Sequence, residues 1–361
     1  MDRWLIWLLP SSIFAYSLLA DHLNGEQWGV GLNPAADRLI VAGAFAAVSF
    51  LADLAWRTST NKWPLHKRHF AIFGIMSLFL SIAALLEMQT GDYSADYWLP
   101  RIAGIVVGLS IGSLPMLFGS RAASHGWRAG NNARPDASRP LLVVADPHWG
   151  TNLVGLHEAT FAHPDADWLF LGDVFDVWLG IKGFETDAQR NFLWWVSERR
   201  RTGHWIGLWL GNREYFLDDI ADKFDFIGEG TEGRLATEPF IFEHGDLINT
   251  KDWKYRFWNL FSRSMPVWVF AKVTPPIIGA RLCSWLEKKL LTTNQENKTS
   301  FPMTEFQKAI DAEGAEFFIV GHFHCLKEAD KGMSAPWAHE GQMLLWQNGE
   351  FRLVGGPPRS A

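Results

Sequence analysis

The stretch LLVVADPH, residues 141–148, decides the fold. Its first five residues form an apolar run of strand length, too short for a buried helix. Asp146 and His148 follow at once, on either side of Pro147. The same order of events recurs downstream. WLFL (168–171) leads into GDVFD, with Asp173 and Asp176; HWIGLWL (204–210) leads into Gly211, Asn212, Arg213 and Glu214. PFIFE (239–243) leads into His244, Gly245 and Asp246, and EFFIV (316–320) leads into GHFH, with His322 and His324. Short apolar runs alternating with polar helical stretches predict an α/β domain. The tail QMLLWQNGEFRLV (342–354) sets Asn348-Gly349 between two apolar runs, a hairpin signal. The spacing of Thr304 and Gln307 predicts a capping box that opens a helix before 316–320.

In α/β sheets, ligands gather at the carboxyl ends of the strands. Five strands ending in carboxylates, an amide and imidazoles would therefore stack these groups at one edge of the domain, a donor set suited to a borderline divalent metal. Taken singly, each element has an ordinary reading: Asp-x-His arises by chance, Gly-Asp is a turn, and His-x-His is a pair of solvated imidazoles. Their joint occurrence, in order and always at a strand end, points to a site.

The ordered set Asp-x-His, Gly-Asp-x-x-Asp, Gly-Asn-x-Glu, His-Gly-Asp and Gly-His-x-His resembles the calcineurin-like metallophosphoesterase superfamily over residues 140–361. The resemblance implies a four-layer α/β/β/α sandwich with a centre of two divalent metal ions, manganese first, with iron or zinc as alternatives. By position, one ion would take Asp146, His148, Asp173 and His324, and the other Asp173, Asn212, His244 and His322, with Asp173 shared. Two cations about 4 Å apart activate water near neutral pH and clamp phosphoryl oxygens during in-line displacement. Asp176, Glu214 and Asp246 are then residues that orient ligands.

Arg213 stands where most of that superfamily carries a histidine able to protonate a leaving alkoxide. Arginine keeps its proton and offers only fixed charge and forked donors. Such a site suits a leaving group that needs no proton, and so a phosphoanhydride. The Gly-Asn-Arg-acid pattern, GDVFDVWLG (172–180) and HGDLINTKDWKYRFW (244–258) are similar to the branch of the superfamily that splits UDP-2,3-diacylglucosamine and releases UMP in lipid A synthesis. That likeness implies a pyrophosphatase with Asp173, Asn212 and Arg213 as catalytic residues. It further implies Arg213, Lys254 and Arg256 as contacts to a lipid-linked nucleotide diphosphate, and a helical lid inserted at about 250–303. A phosphodiesterase or phosphatase of the same superfamily, acting on another nucleotide or phosphorylated substrate, is the alternative. Pro147, Glu214, Phe323 and Cys325 depart from the branch's pattern without touching the ligand set. The insertion mixes large apolar residues with Lys254, Arg256, Arg263, Lys272, Arg281, Lys288 and Lys289 against one acid, Glu287. That composition suits a grip on an acylated, phosphorylated substrate or an anionic membrane surface; a basic amphipathic pair packed on the domain has the same composition.

The first 120 residues read differently. Trp4–Ala20, Leu39–Trp56, Phe70–Leu86 and Ile102–Phe118 are apolar stretches of 17 or 18 residues, the short end of a bilayer-spanning helix. They predict four transmembrane helices (4–20, 39–56, 70–86, 102–118) preceding the sandwich. The loop 57–69 carries Arg57, Lys62, Lys67 and Arg68, whereas the flanking loops are acidic. By the positive-inside bias, both termini and the catalytic domain would be cytoplasmic, in a multi-pass inner-membrane protein. Residues 121–139, rich in Gly, Ala, Asn, Pro and Arg, read as a linker. The net charge of -6 gives no reason to expect nucleic acid, and nothing implies a protein partner. Two scattered cysteines, Cys283 and Cys325, exclude a Cys-rich zinc site and fit a reducing compartment.

Overall fold

In the computed structural model, which describes residues 128–355 except 151–152, 295–300 and 314–315, and upstream only 46–47, 49, 52, 67–72 and 74–76, the apolar runs of the second half form strands. In chain order the strands are β1 (Arg128–Gly130), β2 (Leu141–Val144), β3 (Asp167–Phe170), β4 (Trp178–Leu179), β5 (Ile206–Trp209), β6 (Glu214–Tyr215) and β7 (Phe226–Gly228). They continue with β8 (Gly233–Arg234), β9 (Phe240–Glu243), β10 (Phe317–Val320), β11 (Lys327–Ala329), β12 (Gly332–Ser334), β13 (Gln342–Gln347) and β14 (Glu350–Gly355). One sheet has the order β1-β7-β5-β3-β2-β13-β14 and a second the order β11-β12-β10-β9-β8, while β4 and β6 pair separately. Strands β2, β3, β5 and β7 are mutually parallel, as are β9, β10 and β12.

All four residues of β2 are fully buried because both faces of the sheet are covered, which is why the run is apolar without alternation. Leu142 and Val144 face a core shared with α1 (Val154–Ala162) and α2 (Asp187–Arg201) through Leu156, Phe192 and Val196. Leu141 and Val143 face the other way, into a core with Phe240 and Phe242 of β9 and Ile319 of β10. The outer side of the second sheet, Ile241, Phe318 and Val320, packs on Phe306 and Ile310 of α6 (Met303–Glu313). The layers therefore run helix, sheet, sheet, helix. Between β9 and α6 lie α3 (Trp253–Ser262), α4 (Met265–Val273) and α5 (Pro276–Asn294). Ala271 and Cys283 of α4 and α5 share a small core with Ile181, Phe184 and Phe216, next to the β4–β6 pair.

Local starts differ from expectation in two places. The helix at α6 begins before Thr304: Phe306 donates its N–H to the carbonyl of Pro302, so Pro302, not Thr304, sets the first turn. The capping box is found instead on α2, where Thr186 and Gln189 satisfy each other's backbone N–H groups. Part of the stretch read as a linker is built into the sheet, as β1 pairs with β7. Arg134, buried there, forms ion pairs with Asp167 at 3.2 Å and Glu238 at 2.6 Å.

The chain divides into two units, Met1–Gly119 and Ser120–Ala361. The expectation of four transmembrane helices is corrected: among the described residues, no helix is long and apolar enough to cross a membrane. The longest described helix, α5, carries Arg281, Glu287, Lys288 and Lys289, too many charges for hydrocarbon. In the upstream unit, Lys67 to His69, read as the end of a loop, are helical, and Arg68, one of the four cations of that loop, is buried together with His69, while Arg57 and Lys62 lie outside the described residues. Most of the four apolar stretches lie outside the described residues. The architecture is a mixed α/β fold with two packed sheets, and the multi-pass inner-membrane placement that rested on the four helices falls with them.

Candidate metal centre

Each candidate ligand sits one to four residues beyond the end of a strand: Asp146 and His148 after β2, Asp173 after β3, Asn212 after β5, His244 after β9, and His322 and His324 after β10. The sheets bring these ends together. Asp146, Asp173, His244 and His322 form one group whose ligand atoms all lie within 4.8 Å of one another, and Asp146, His148 and His324 form a second. These are Asp/His clusters that could hold a metal ion. Asp146 belongs to both, and the two oxygens of Asp173 also reach both sides, Oδ1 at 3.6 Å from His244 Nε2 and Oδ2 at 3.9 Å from His148 Nε2. Asn212 completes the first group, with its Oδ1 2.9 Å from His244 Nε2 and 3.2 Å from His322 Nδ1.

Crowding of this kind needs unusual backbone. Asp146, His148, Asp173, His322 and His324 all adopt left-handed conformations, with φ between 43 and 66°. Among the described residues only two other non-glycine residues do so, Phe216 and Asn348. Left-handed backbone in non-glycine residues costs free energy and clusters where surrounding structure must aim a side chain. Glycine supplies the remaining space: a Cβ on Gly211 would lie 2.4 Å from Asp173 Oδ1 and 2.8 Å from the His244 ring.

Supporting residues fix the orientations. Asp176 Oδ1 lies 3.2 Å from His148 Nδ1. The buried Glu214 carboxylate accepts the N–H groups of Asp173, Val174 and Gly211 at 2.9, 2.7 and 2.8 Å, tying two ligand loops together. Arg213 donates its backbone N–H to Asp173 Oδ1 at 2.9 Å, and its Nε lies 3.9 Å from Asp173 Oδ2. Asp246 accepts hydrogen bonds from Tyr255 Oη and from Asn259 Nδ2. Of the expected substrate contacts, Lys254 stands exposed on α3. Arg256 is buried and donates Nη1 to the Leu247 carbonyl at 3.4 Å, so its guanidinium has a partner within the domain.

Sequence reasoning missed Tyr255, Asn259 and Trp337, and read Arg263 only as one of the insertion's cations, whereas its guanidinium is bound to the Gly211 and Glu214 carbonyls. The Trp337 ring stacks parallel on His324 with centroids 4.5 Å apart and also stacks on His339. The only advance signal for Tyr255 and Asn259 was their spacing of four residues from each other and from Arg263.

The electrostatics fit a cation. His244 Nδ1 lies 2.8 Å from the Leu171 carbonyl, which can only accept, so Nδ1 carries a proton and Nε2 is the atom that faces Asn212 Oδ1 and Asp173 Oδ1. The two oxygens converge on Nε2, a point that suits a positive species, either a proton on Nε2 or a cation in its place. Burial alone would lower the His244 pKa, but the Asp173, Asp146 and Asp246 carboxylates outweigh it and push it up to about 9. His148 is raised by the Asp176, Asp173 and Asp146 carboxylates against its burial. His322 moves the other way, down to about 4, through burial and the neighbouring His244. Burial would raise Asp146, yet the surrounding imidazoles of His244, His324 and His148 hold its carboxyl well below the usual range. Glu214 is pushed up to about 7 by burial and by Asp173.

No protein-family model matches the chain, and no curated protein matches it. The functional reading therefore rests on the residues and their arrangement.

Proposed function

We propose that the chain is a metal-dependent phosphohydrolase that holds two divalent ions, manganese first, and cleaves a phosphoanhydride. The observation that carries the reading is the convergence of seven side chains from strand ends of both sheets into two adjoining groups that share Asp146 and Asp173. His148, His324 and Asp146 would hold one ion, Asn212, His244 and His322 the other, with Asp173 reaching both. When bound, such ions supply Lewis-acid polarisation of phosphoryl oxygens and activation of water at neutral pH.

The chain's own residues do the rest. Arg213, with its side chain 18 % exposed beside Asp173, offers fixed charge to phosphoryl oxygens and no proton to a leaving group. Asp176 and the Leu171 carbonyl fix the orientation of His148 and His244 before any substrate arrives. The absence of a proton donor at Arg213 favours a phosphate leaving group, and the Gly-Asn-Arg-acid pattern favours UDP-2,3-diacylglucosamine or a similar lipid-linked nucleotide as substrate. Purified protein with manganese should release UMP from UDP-2,3-diacylglucosamine far faster than it hydrolyses bis(p-nitrophenyl) phosphate, and EDTA should stop both reactions. Hydrolysis of the diester without UMP release would move the assignment to another phosphodiesterase substrate.

A further inference from the structure

Helix α3 turns an unusual face inward. Its large aromatic residues Trp253, Phe257, Trp258 and Phe261 are about half exposed or more, while a polar stripe at four-residue spacing, Tyr255 and Asn259 with Arg263 at the helix's C-cap, points into the domain. The stripe is fully wired. Tyr255 Oη donates to Asp246, two residues beyond His244. Asn259 donates Nδ2 to Asp246 at 3.0 Å and accepts Arg263 Nη1 through Oδ1, also at 3.0 Å. Arg263 Nη2 then donates to two carbonyls, Gly211 at 2.6 Å and Glu214 at 3.1 Å. Those carbonyls flank Asn212 and Arg213.

We infer that Arg263 is a positioning residue for the Asn212 half of the centre: through Asn259 and Asp246 it locks the Asn212–Arg213 turn to the turn that carries His244. This rests on the reading of the site as a two-metal centre. The Asn212 turn is gripped on both of its sides, by the Glu214 carboxylate on the Gly211 N–H and by Arg263 on the Gly211 and Glu214 carbonyls. Neither grip involves the Asn212 side chain, which is left to present Oδ1 to His244 and His322. A guanidinium suits the task because one rigid fork serves Asn259 and the two carbonyls while its face lies 5.0 Å over the Tyr215 ring. Glu229, 3.9 Å from Nε, balances the charge.

A bond that served only to staple α3 to the domain would affect stability and leave the metals alone. Calorimetric titration of full-length protein with manganese separates the two roles. Wild type should take up two equivalents. Arg263→Met should keep one at unchanged affinity and bind the other about 10- to 100-fold more weakly, the scale for residues that orient metal ligands. The kcat for bis(p-nitrophenyl) phosphate should fall by a similar factor while KM moves little, and Arg263→Lys should recover part of both. Should Arg263→Met fail to fold, Asn259→Ala cuts the same link without removing a charge and should weaken the same equivalent. Two unchanged equivalents in a folded Arg263→Met protein would overturn the inference and leave the metal reading standing. A wild-type protein that binds no manganese would overturn both.

Discussion

The two halves of the Asp/His cluster use the same kinds of residue and are held by different means. In the half containing His148 and His324, side chains do the holding: Asp176 lies 3.2 Å from His148 Nδ1, and the Trp337 ring lies under His324. In the half containing Asn212 and His244, the backbone does it: the Leu171 carbonyl takes His244 Nδ1–H, and Asn212 sits in a turn clamped through its peptide groups. A carbonyl cannot change its charge, so the proton on His244 Nδ1 is fixed at every pH. A carboxylate behind His148 adds negative charge and makes the ring a more basic ligand. The first half should therefore bind its cation more tightly, while the second depends on how its backbone turns are held.

Asp173 is the residue whose loss breaks the comparison outright, because its oxygens reach both halves. Asp173→Ala should lower manganese-dependent hydrolysis by about 1000-fold, the upper end of losses seen when one preorganised electrostatic partner is removed. It should also remove both equivalents from the manganese titration. Retention of either equivalent at wild-type affinity would show that the halves do not share this carboxylate.

Removing metal sharpens the contrast through pH. With a pKa pushed up to about 9 by the carboxylates around it, His244 favours the protonated state in the folded, metal-free protein. That stabilisation is fully present below the ordinary histidine pKa and is lost as pH rises from about 6.5 to 9. His148, also raised, acts in the same direction. Unfolding by urea in EDTA should therefore show stability falling by about 3 kcal/mol between pH 6.5 and 9. Excess manganese should abolish or invert this slope, since ligation requires the neutral imidazole. A metal-free slope of the opposite sign would mean that the carboxylates do not face these rings.

Asp176→Asn acts on one half alone. It should weaken one manganese equivalent by about 10- to 100-fold and leave the other unchanged, the counterpart of Arg263→Met on the opposite side. Weakening of both equivalents together would mean that the halves are coupled through Asp146.

How much of this could be read in advance follows from the same physics. The strands 141–144, 206–209 and 240–243 were legible because sheets covered on both faces demand unbroken apolar runs. The residues that follow them stood out because polar groups directly after such runs must lie at a sheet edge. The left-handed backbone at Asp146, Asp173 and His322 was invisible, since these residue types carry no glycine to announce it. Arg134 hid in a stretch whose Gly, Asn and Pro content signals a linker, although its guanidinium is buried against Asp167 and Glu238. Hydropathy misled in the first 120 residues: an apolar stretch is necessary for a membrane helix, but a described segment such as 67–72 buries Arg68 and His69 instead. The inward stripe on α3 was masked by the cations and aromatics around it, which average to an amphipathic surface whatever the phase.

Trp337 gives the smallest effect and the finest test of how the first half is held. Its ring is parallel to that of His324, at an interplanar angle of 1° and a centroid distance of 4.5 Å, while His324 Nε2 lies 3.7 Å from Asp146 Oδ1. Stacking of this kind is worth about 0.5–1.5 kcal/mol beyond area burial. The Trp337 ring also stacks on His339, which lies against the Pro147 carbonyl and belongs to neither group of ligands. Trp337→Leu keeps an apolar side chain and removes the flat surface. It should lower affinity for the first manganese equivalent by about three- to tenfold, the factor that stacking energy converts to. The second equivalent and the urea midpoint in EDTA should barely change. A loss that appeared equally in both equivalents would place Trp337 among the residues that hold the whole sheet edge, and would remove the distinction between a half aimed by side chains and a half aimed by backbone.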